Sequence, residues 1–288
     1  MREMEPERDR AAFAAVRLIG IDVDGTLVNS KNELTKATVS ALQQAADRGI
    51  EIALSTGRMA SECRELLARL PMIRYIVTCT GSQVIDLRTG QTLFRRSLTA
   101  DQLRSVCGPL IDLDALLQVF DDRDGFIHND ARRLAEAERY CTPQKAAAAR
   151  RCHVGEADFP AYLAAYEGPA NKIHIFFASA DAKEEARRRL AGLPYACMES
   201  VPNDLEVMPR DVDKGVGLRA LAACLGLRPA QVMAVGDGGN DVGMLDFAGV
   251  SVCMGNGSEE ARRHARFVTA ANDGDGLALA IRRLLAAG

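Results

Sequence analysis

The sequence predicts an α/β protein: a Rossmann-like, doubly wound parallel-sheet core with an inserted α+β domain. Three observations lead to this prediction. Apolar runs of strand length alternate with segments of helical period at both ends of the chain. The middle of the chain alternates in shorter pieces, which is typical of an α+β domain. The length of 288 residues is enough for two modest domains.

The first part of the chain reads as strand, helix, strand, helix, strand with short connections, and Gly49 ends the first helical run. The predicted elements are a strand over 18–24, a helix over 32–49, a strand over 50–54, a helix over 59–70 and a strand over 75–79. This alternation predicts a parallel sheet that is covered on both faces.

The remaining elements follow from the same periodicities. The middle holds a hairpin (83–87 with 91–94), runs 116–120 and 125–128 around an acidic turn over 121–124, a strand over 172–177 and a helix over 181–191. The last part holds helices over 215–224 and 244–248 and strands over 232–235, 250–254 and 266–269. We therefore expect a flexible N-terminal extension over 1–15, a core of 16–83 plus 203–288, and an inserted domain over 84–202.

The composition argues against several classes of function. A formal net charge of -3 is unlike that of a nucleic-acid-binding protein. The sequence contains no run of 18 apolar residues, so no membrane span is predicted. Residues 1–10 carry both charge signs and lack the apolar segment of a signal peptide. The eight cysteines form no C-x-x-C pair, so we interpret them as thiols of a cytoplasmic protein, with disulfides as the alternative.

Two carboxylates, Asp22 and Asp24, stand one residue apart at the end of the first apolar run. In a strand they would lie on the same face, about 6.5–7 Å apart, and the backbone of Val23 and Asp24 would be open to a ligand. Two crowded acids hold different protonation states or share a cation, so one can attack while the other carries a proton. A plain polar turn is the alternative. A calcium loop fits poorly, because Thr26 and Leu27 stand where that loop needs an oxygen ligand and a glycine.

Four polar groups follow apolar runs or begin helices. They are Asp22 with Asp24, Thr56 with Gly57, Lys214, and the loop 236–241 with Asp237, Asn240 and Asp241. The carboxyl ends of parallel strands form the ligand crevice of an open α/β sheet. Together the groups supply carboxylates for a divalent cation, and a hydroxyl, an amide and an ammonium for a phosphate. Phosphoryl transfer requires this combination.

Each group has a plainer interpretation when it is taken alone. Lys214 alone would be a solvated helix start, and Thr56 alone a helix N-cap or turn residue. The loop 236–241 alone could bind any cation or none, and the chain has neither a P-loop motif nor a G-x-G-x-x-G motif after a strand. The prediction therefore depends on the order and spacing of all four groups.

That order and spacing resemble the haloacid dehalogenase superfamily, and within it the Cof-like class IIB sugar-phosphatase branch. The matching motifs are Asp22-Val23-Asp24-Gly25-Thr26, Thr56-Gly57-Arg58, Lys214-Gly215 and Gly236-Asp237 with Asn240-Asp241. Further matches are 205–209, 254–256 and 272–274. The resemblance runs from about residue 17 to the C-terminus, and the insert stands where that branch carries its cap.

The resemblance implies a role for each matching residue. Asp22 would be the nucleophile that forms an aspartyl-phosphate, and Asp24 would protonate the leaving alcohol and then activate water. Mg²⁺ would be held by Asp22, the backbone carbonyl of Asp24 and Asp237, with Asp241 or water molecules completing an octahedron. The candidate phosphate-binding residues are Val23, Thr56, Gly57, Lys214 and Asn240. Elementary electrostatics agrees, because a carboxylate approaches a phosphate dianion only where cations offset the repulsion.

The insert is expected to close over the core as a lid that excludes water and selects the leaving group. Its candidate substrate contacts are Arg132, Arg133, Lys172 and His174, with solvated charge or cap structure as the alternative. One departure from the family pattern is Thr80-Gly81, where relatives often have Asn-Gly.

The sequence thus predicts a Mg²⁺-dependent phosphatase that hydrolyses phosphate monoesters of small metabolites. Two alternatives stay open. One is a phosphosugar mutase, which would pass the phosphoryl group to a sugar. The other is a non-catalytic sensor of phosphorylated ligands, against which the intact Asp24 argues.

Overall fold

The computed structural model describes residues 2–3, 7, 9–122, 125–199 and 201–287. The chain divides into two compact units. The larger unit comprises Met1–Arg95 and Val212–Gly288, and the smaller unit comprises Arg96–Asp211. The smaller unit is therefore an insertion in the sequence of the larger one.

The strands of the described residues form two sheets. In chain order they are β1 (Arg2–Glu3), β2 (Leu18–Ile21), β3 (Glu51–Ser55), β4 (Tyr75–Thr78), β5 (Gln83–Asp86), β6 (Gln91–Arg95), β7 (Ala115–Asp121), β8 (Ile127–Asp130), β9 (Val154–Glu156), β10 (Ala170–Phe177), β11 (Tyr195–Met198), β12 (Asp204–Pro209), β13 (Val232–Gly236), β14 (Val250–Cys253) and β15 (Phe267–Val268). The larger unit has the order β1-β15-β14-β13-β2-β3-β4-β5-β6, and the smaller unit has the order β11-β12-β10-β7-β8-β9.

The helices cover the sheets of both units. In chain order they are α1 (Arg10–Ala14), α2 (Lys36–Asp47), α3 (Arg64–Ala68), α4 (Ala100–Cys107), α5 (Ala131–Ala135), α6 (Pro143–Cys152), α7 (Phe159–Ala165), α8 (Ala180–Leu190), α9 (Lys214–Cys224), α10 (Val242–Phe247), α11 (Glu259–His264) and α12 (Gly276–Leu285). None of these helices in the described part of the chain has the length and apolarity that a bilayer crossing requires.

The larger sheet is parallel from β15 through β4, with β2 near its centre. Its central strands are buried along their whole length, because alternate residues pack into apolar clusters on opposite faces. Ile19 and Ile21 pack on the face of α2 and α12, and Leu18 packs on the face of α9 with Leu218. The predicted fold class is confirmed. Because β2, β3 and β13 are neighbours, their carboxyl ends lie side by side.

The predicted hairpin forms, but it belongs to the larger unit. β5 pairs antiparallel with β4, and β6 pairs antiparallel with β5. Val84 is fully buried in the cluster that also contains Tyr75 and Val77. The expected start of the insert at residue 84 is therefore wrong, because the hairpin completes the edge of the larger sheet.

The expected end of the insert at residue 202 is also wrong. Asp204–Pro209 forms β12, which pairs with β10 and β11 in the smaller sheet. Leu205 and Val207 are buried in the core of that unit, where they pack with Ile173 and Ile175. The apolar residues of β12 therefore belong to the core of the smaller unit.

Part of the predicted N-terminal extension is folded onto the larger unit. Residues 10–14 form α1, and Phe13 is buried with its ring 5.6 Å from the ring of Phe267. The expectation of a flexible extension is therefore wrong for α1, because its aromatic residue is part of the core. Residues 1, 4–6 and 8 of that extension, and residues 123 and 124 of the predicted acidic turn, lie outside the described residues.

The smaller sheet has one apolar face and one face that carries both polar side chains and a smaller apolar cluster. Leu117, Val119 and Ile173 lie on the apolar face, in a cluster with residues of α4, α7 and α8. The alternate positions on these strands include Gln118 and His174. Since side chains alternate along a strand, polar residues are concentrated on the other face.

Candidate active site

The first motif lies at the carboxyl end of β2, which ends one residue before Asp22. Residues Val23–Leu27 form a turn in which Asp24 is not helical and Gly25 has a φ of +86°. Asp22 is buried, whereas Asp24 is exposed. The strand geometry predicted for the two carboxylates is therefore wrong, because the chain turns between them and gives them different environments.

Asp24 forms an ion pair with Arg58. Arg58 Nε donates to Asp24 Oδ2 at 3.0 Å, and Arg58 Nη2 contacts Asp24 Oδ1. The side chain of Asp24 is 61% exposed, so water can reach the carboxylate. The sequence interpretation had assigned no role to Arg58.

Lys214 is the first residue of α9, and its side chain is buried. Its Nζ donates to Asp22 Oδ1 at 2.5 Å and to Asp241 Oδ1 at 2.6 Å. Asp213 caps the helix. A Cβ at Gly81, whose φ is +99°, would lie 1.9 Å from the Asp213 carbonyl oxygen. The turn after β4 therefore packs directly against the start of α9 and fixes the position of Lys214.

The loop after β13 presents two further carboxylates. Asp241 is fully buried, and its Oδ2 accepts the backbone N–H groups of Asp237 and Gly238 at 2.8 Å each. Asp237 Oδ1 accepts the hydroxyl of Thr26 at 3.0 Å. Asp241 thus links its own loop to Lys214, and Thr26 links Asp237 to the turn after β2.

The buried charges shift one another's protonation. Burial raises the pKa of Asp22 well above its usual value, and the carboxylates of Asp241 and Asp237 add to the rise, while Lys214 opposes it. Burial also raises the pKa of Asp237. Burial alone would lower the pKa of Lys214, but Asp22 and Asp241 hold it above its usual range. Lys214 is therefore an ammonium ion, and it is the one cationic side chain in hydrogen-bond contact with Asp22 and Asp241 among the described residues.

This donor set fits a hard divalent cation. Carboxylate oxygens of Asp22, Asp237 and Asp241 lie within 4.8 Å of one another. A Cβ at Gly25 would lie 2.4 Å from Asp237 Oδ2, so a residue with a side chain at position 25 would collide with this carboxylate. Carboxylate, backbone carbonyl and water oxygens are the ligands that Mg²⁺ takes in proteins.

The other predicted phosphate-binding residues lie at strand ends of the same unit. Thr56 follows β3 and is buried, and its hydroxyl oxygen accepts the backbone N–H of Arg58 at 3.2 Å. Gly57 is partly exposed, and Asn240 is exposed in the short turn before α10. The side chain of Val23 packs in the apolar core. The structure thus brings Lys214 together with three carboxylates, and the remaining phosphate contacts stay predictions.

Asn256 has a place in this site that sequence reasoning did not assign. Its Nδ2 donates to the carbonyl oxygen of Gly25 at 2.9 Å and lies 3.5 Å from Asp237 Oδ2. Two signals were available: the match of 254–256 to the family pattern, and the position of Asn256 just after β14. Asn256 therefore ties the turn after β2 to the loop after β13.

The four candidate substrate contacts of the insert have different surroundings. Arg133 donates to the backbone carbonyls of Ile111 and Ala115 at 3.0 and 2.5 Å, which is a structural role. Arg132 is exposed. Lys172 and His174 are both buried, and each is paired with a carboxylate of β12.

The chain matches the family model of haloacid dehalogenase-like hydrolases over residues 19–281. It belongs to this family, as predicted, and the prediction of a hydrolase acting on phosphate esters is confirmed.

Two curated relatives illustrate the family. The putative phosphatase YxeH of Bacillus subtilis is 30% identical over 281 residues, which are 94% of this chain and 99% of that protein. The HMP-PP phosphatase of Cronobacter sakazakii is 32% identical over 247 residues, which are 83% of this chain and 84% of that protein. Among solved structures, a haloacid dehalogenase-like hydrolase from Bacteroides thetaiotaomicron is 28% identical, with a TM-score of 0.81 over 93% of this chain and 99% of that one.

Proposed function

We propose that this protein is a Mg²⁺-dependent phosphatase that hydrolyses phosphate monoesters of small metabolites through an aspartyl-phosphate intermediate. One observation carries the proposal. Lys214 Nζ lies within hydrogen-bond distance of both Asp22 and Asp241, although 192 and 27 residues separate the partners in the sequence. A buried ammonium ion beside a nucleophilic carboxylate is what attack on a phosphate dianion requires.

In the first step, an oxygen of Asp22 attacks phosphorus and the bond between phosphorus and the leaving oxygen breaks. Asp24 gives its proton to that oxygen, so the alcohol leaves neutral. Lys214 stabilises the charge that builds up on the phosphoryl oxygens. A bound Mg²⁺, held by Asp22, Asp237, Asp241 and the Asp24 carbonyl, would neutralise further charge on those oxygens.

In the second step, the carboxylate of Asp24 takes a proton from water as the water oxygen attacks phosphorus. The bond between phosphorus and Asp22 breaks, and inorganic phosphate leaves with Asp22 restored. The position of Asp24 supports this role, because water can reach its exposed carboxylate and the ion pair with Arg58 orients the side chain. Thr56, Gly57 and Asn240 are the further phosphate contacts that we propose.

The test is release of inorganic phosphate from p-nitrophenyl phosphate. We expect Asp22→Asn to abolish turnover, because an amide oxygen is a poor nucleophile. We expect Asp24→Asn to lower kcat by about 10²–10⁴-fold through loss of acid–base catalysis. Asp246→Asn is the matched control, since Asp246 is exposed and pairs only with His264 among the contacts identified for its carboxylate. Retained activity in Asp22→Asn would refute the assignment of the nucleophile.

The substrate class rests on the relatives and on the donor set. The name of the HMP-PP phosphatase relative records a small phosphorylated compound, which supports a small phosphorylated metabolite here. A sugar phosphate given to the enzyme separates hydrolysis from phosphoryl transfer. Hydrolysis releases inorganic phosphate, whereas a mutase yields an isomeric sugar phosphate.

A further inference from the structure

Two segments that match the family pattern have no part in the proposed chemistry. They are 254–256, which follows β14, and 272–274, which follows β15. Both belong to the larger unit. Side chains of both segments form hydrogen bonds with residues 25–30, which follow the nucleophile motif. These contacts indicate a role for the two segments in holding the turn after β2.

Asn256 is exposed, and yet both ends of its side-chain amide are used. Its Nδ2 donates to the carbonyl oxygen of Gly25 at 2.9 Å and lies 3.5 Å from Asp237 Oδ2. Its Oδ1 accepts the backbone N–H of Asn272 at 2.9 Å. One side chain therefore joins three segments: the turn after β2, the loop after β13 and the loop after β15.

The backbone on both sides of Asn256 is held in place. Arg262 of α11 donates from Nε to the carbonyl oxygen of Gly257 at 3.1 Å, and its Nη2 contacts the carbonyl oxygen of Gly255. The backbone N–H of Gly255 donates to the carbonyl oxygen of Ala270 at 3.0 Å. A side chain on a supported backbone can hold its partners in one geometry, as a preorganised site requires.

Asp237 is the carboxylate whose orientation depends on this amide. The hydroxyl of Thr26 donates to its Oδ1 at 3.0 Å, and Asn256 Nδ2 lies 3.5 Å from its Oδ2. The backbone N–H of Ser258 donates to the carbonyl oxygen of Asp237 at 2.8 Å. Carboxylates that bind metals are normally oriented by hydrogen bonds of this kind, from residues that are not themselves ligands.

The contact with Gly25 acts on the proposed backbone ligand. Gly25 has a φ of +86°, and a glycine backbone is free to rotate because no side chain restricts it. The carbonyl group of Asp24 belongs to the peptide bond that joins Asp24 to Gly25. Because Asn256 holds the next carbonyl group along the chain, it limits rotation of the peptide unit that carries the Asp24 carbonyl.

We propose that Asn256 is a positioning residue of the cation site and sets its affinity for a divalent ion through Asp237 and the Asp24 carbonyl. This inference rests on the proposed function. Asn256 is not a ligand in this proposal, because its oxygen already accepts from Asn272 and its amide nitrogen is only a donor. Loss of a residue that orients metal ligands typically weakens metal binding about 10–100-fold.

The test measures binding of Mn²⁺, which takes the same oxygen ligands as Mg²⁺, to the full-length protein without substrate. Electron paramagnetic resonance reports free Mn²⁺, so the dissociation constant is obtained without turnover. We expect Asn256→Leu, which nearly keeps the size of the side chain and removes its hydrogen bonds, to raise that constant about 10–100-fold. Gln44→Leu, which removes an exposed amide from α2 of the same unit, is the matched control and should leave the constant unchanged.

Hydrolysis of p-nitrophenyl phosphate gives a second measurement. Asn256→Leu should need about 10–100-fold more Mg²⁺ to reach half of its maximal rate. Its kcat at saturating Mg²⁺ should stay within about threefold of that of the wild type, because every proposed ligand and Lys214 remain in place. A purely structural role would lower Tm and leave the Mn²⁺ dissociation constant unchanged, and that result would overturn the proposal.

Thr26→Val provides an independent check, because Thr26 holds the other oxygen of Asp237. Each single variant should weaken Mn²⁺ binding. The double variant should lose less than the product of the two single losses, since both residues orient the same carboxylate. Single losses that simply multiply in the double variant would contradict an action of Asn256 through Asp237.

The outcomes separate this inference from the proposed function. If the wild type hydrolyses p-nitrophenyl phosphate and folded Asn256→Leu binds Mn²⁺ as tightly as the wild type, the role of Asn256 alone is overturned. A wild type that binds Mn²⁺ without hydrolysing the ester overturns the proposed function. A wild type that binds no Mn²⁺ overturns the cation site and this inference with it. Circular dichroism identifies folded variants, and Asn256→Ala carries the test if Asn256→Leu is not folded.

Discussion

Replacement of Lys214 by methionine tests the electrostatic reasoning most directly. Methionine nearly keeps the length of the side chain and removes only the ammonium ion. That ion is buried and contacts Asp22 at 2.5 Å and Asp241 at 2.6 Å. Removing one partner of a buried ion pair costs about 3–5 kcal/mol, because the remaining charge has no partner. A protein of this size then loses roughly 6–10 °C in Tm.

The same substitution has a pH dependence with a definite sign. Burial already raises the pKa of Asp22, and Lys214 opposes that rise. Without Lys214 the pKa of Asp22 rises further, so the folded state binds a proton that the unfolded state releases near the ordinary value of about 3.9. The loss in Tm should therefore be smaller at pH 5 than at pH 8. Differential scanning fluorimetry at pH 5 and pH 8 measures this loss in Tm.

The catalytic effect of Lys214→Met should be large. We expect kcat for p-nitrophenyl phosphate to fall by about 10²–10³-fold, as when a preorganised donor is removed from a transition state. Lys31→Met, at an exposed position of the same unit, should leave both Tm and kcat unchanged. A folded Lys214→Met protein with a tenth or more of the normal kcat would refute the reasoning.

Three further predictions follow from other parts of the larger unit. Chelation by EDTA should abolish phosphate release and added Mg²⁺ should restore it; activity that persists after dialysis against EDTA contradicts the cation site. Phe13→Ala should lower the free energy of unfolding in urea by about 3 kcal/mol, because Phe13 is buried against Phe267, and Phe13→Leu should lose less. Thr80→Asn should raise Tm by about 2 °C, because Thr80 has a φ of +57°, which asparagine adopts more readily than a β-branched residue. A fall in Tm, measured by differential scanning fluorimetry, would show that the backbone at Thr80 is not strained.

Much of the larger unit could be predicted because its signals are local. The buried strands β2, β3, β4 and β13 are continuous apolar runs, and the helices between them have a clear period. The backbone geometry of the first motif was harder to predict from the sequence. The sequence Asp22-Val23-Asp24 fits an extended strand, and only the pairing of β2 with its neighbours shows where the ladder ends.

The boundaries of the insert could not be predicted, because they depend on pairing between distant strands. The segment 83–95 and the segment 204–209 are both plausible strands in either unit. Pairing of β5 with β4 assigns the first to the larger sheet, and pairing of β12 with β10 assigns the second to the smaller one. Strand propensity describes a residue and its neighbours, whereas sheet membership depends on which partner buries the side chains.

The order of chemical groups along the chain was sufficient to predict the family and the fold class, since each group follows a recognisable strand or begins a helix. Tertiary structure alone decided which of these groups meet. Lys214 reaches Asp22 and Asp241 because β2 and β13 are adjacent and α9 shares an apolar cluster with both strands through Leu218. Lys172 and His174 pair with carboxylates of β12 because β10 and β12 are antiparallel neighbours. Contacts between residues far apart in sequence are set by packing and burial of the whole chain, which no local pattern encodes.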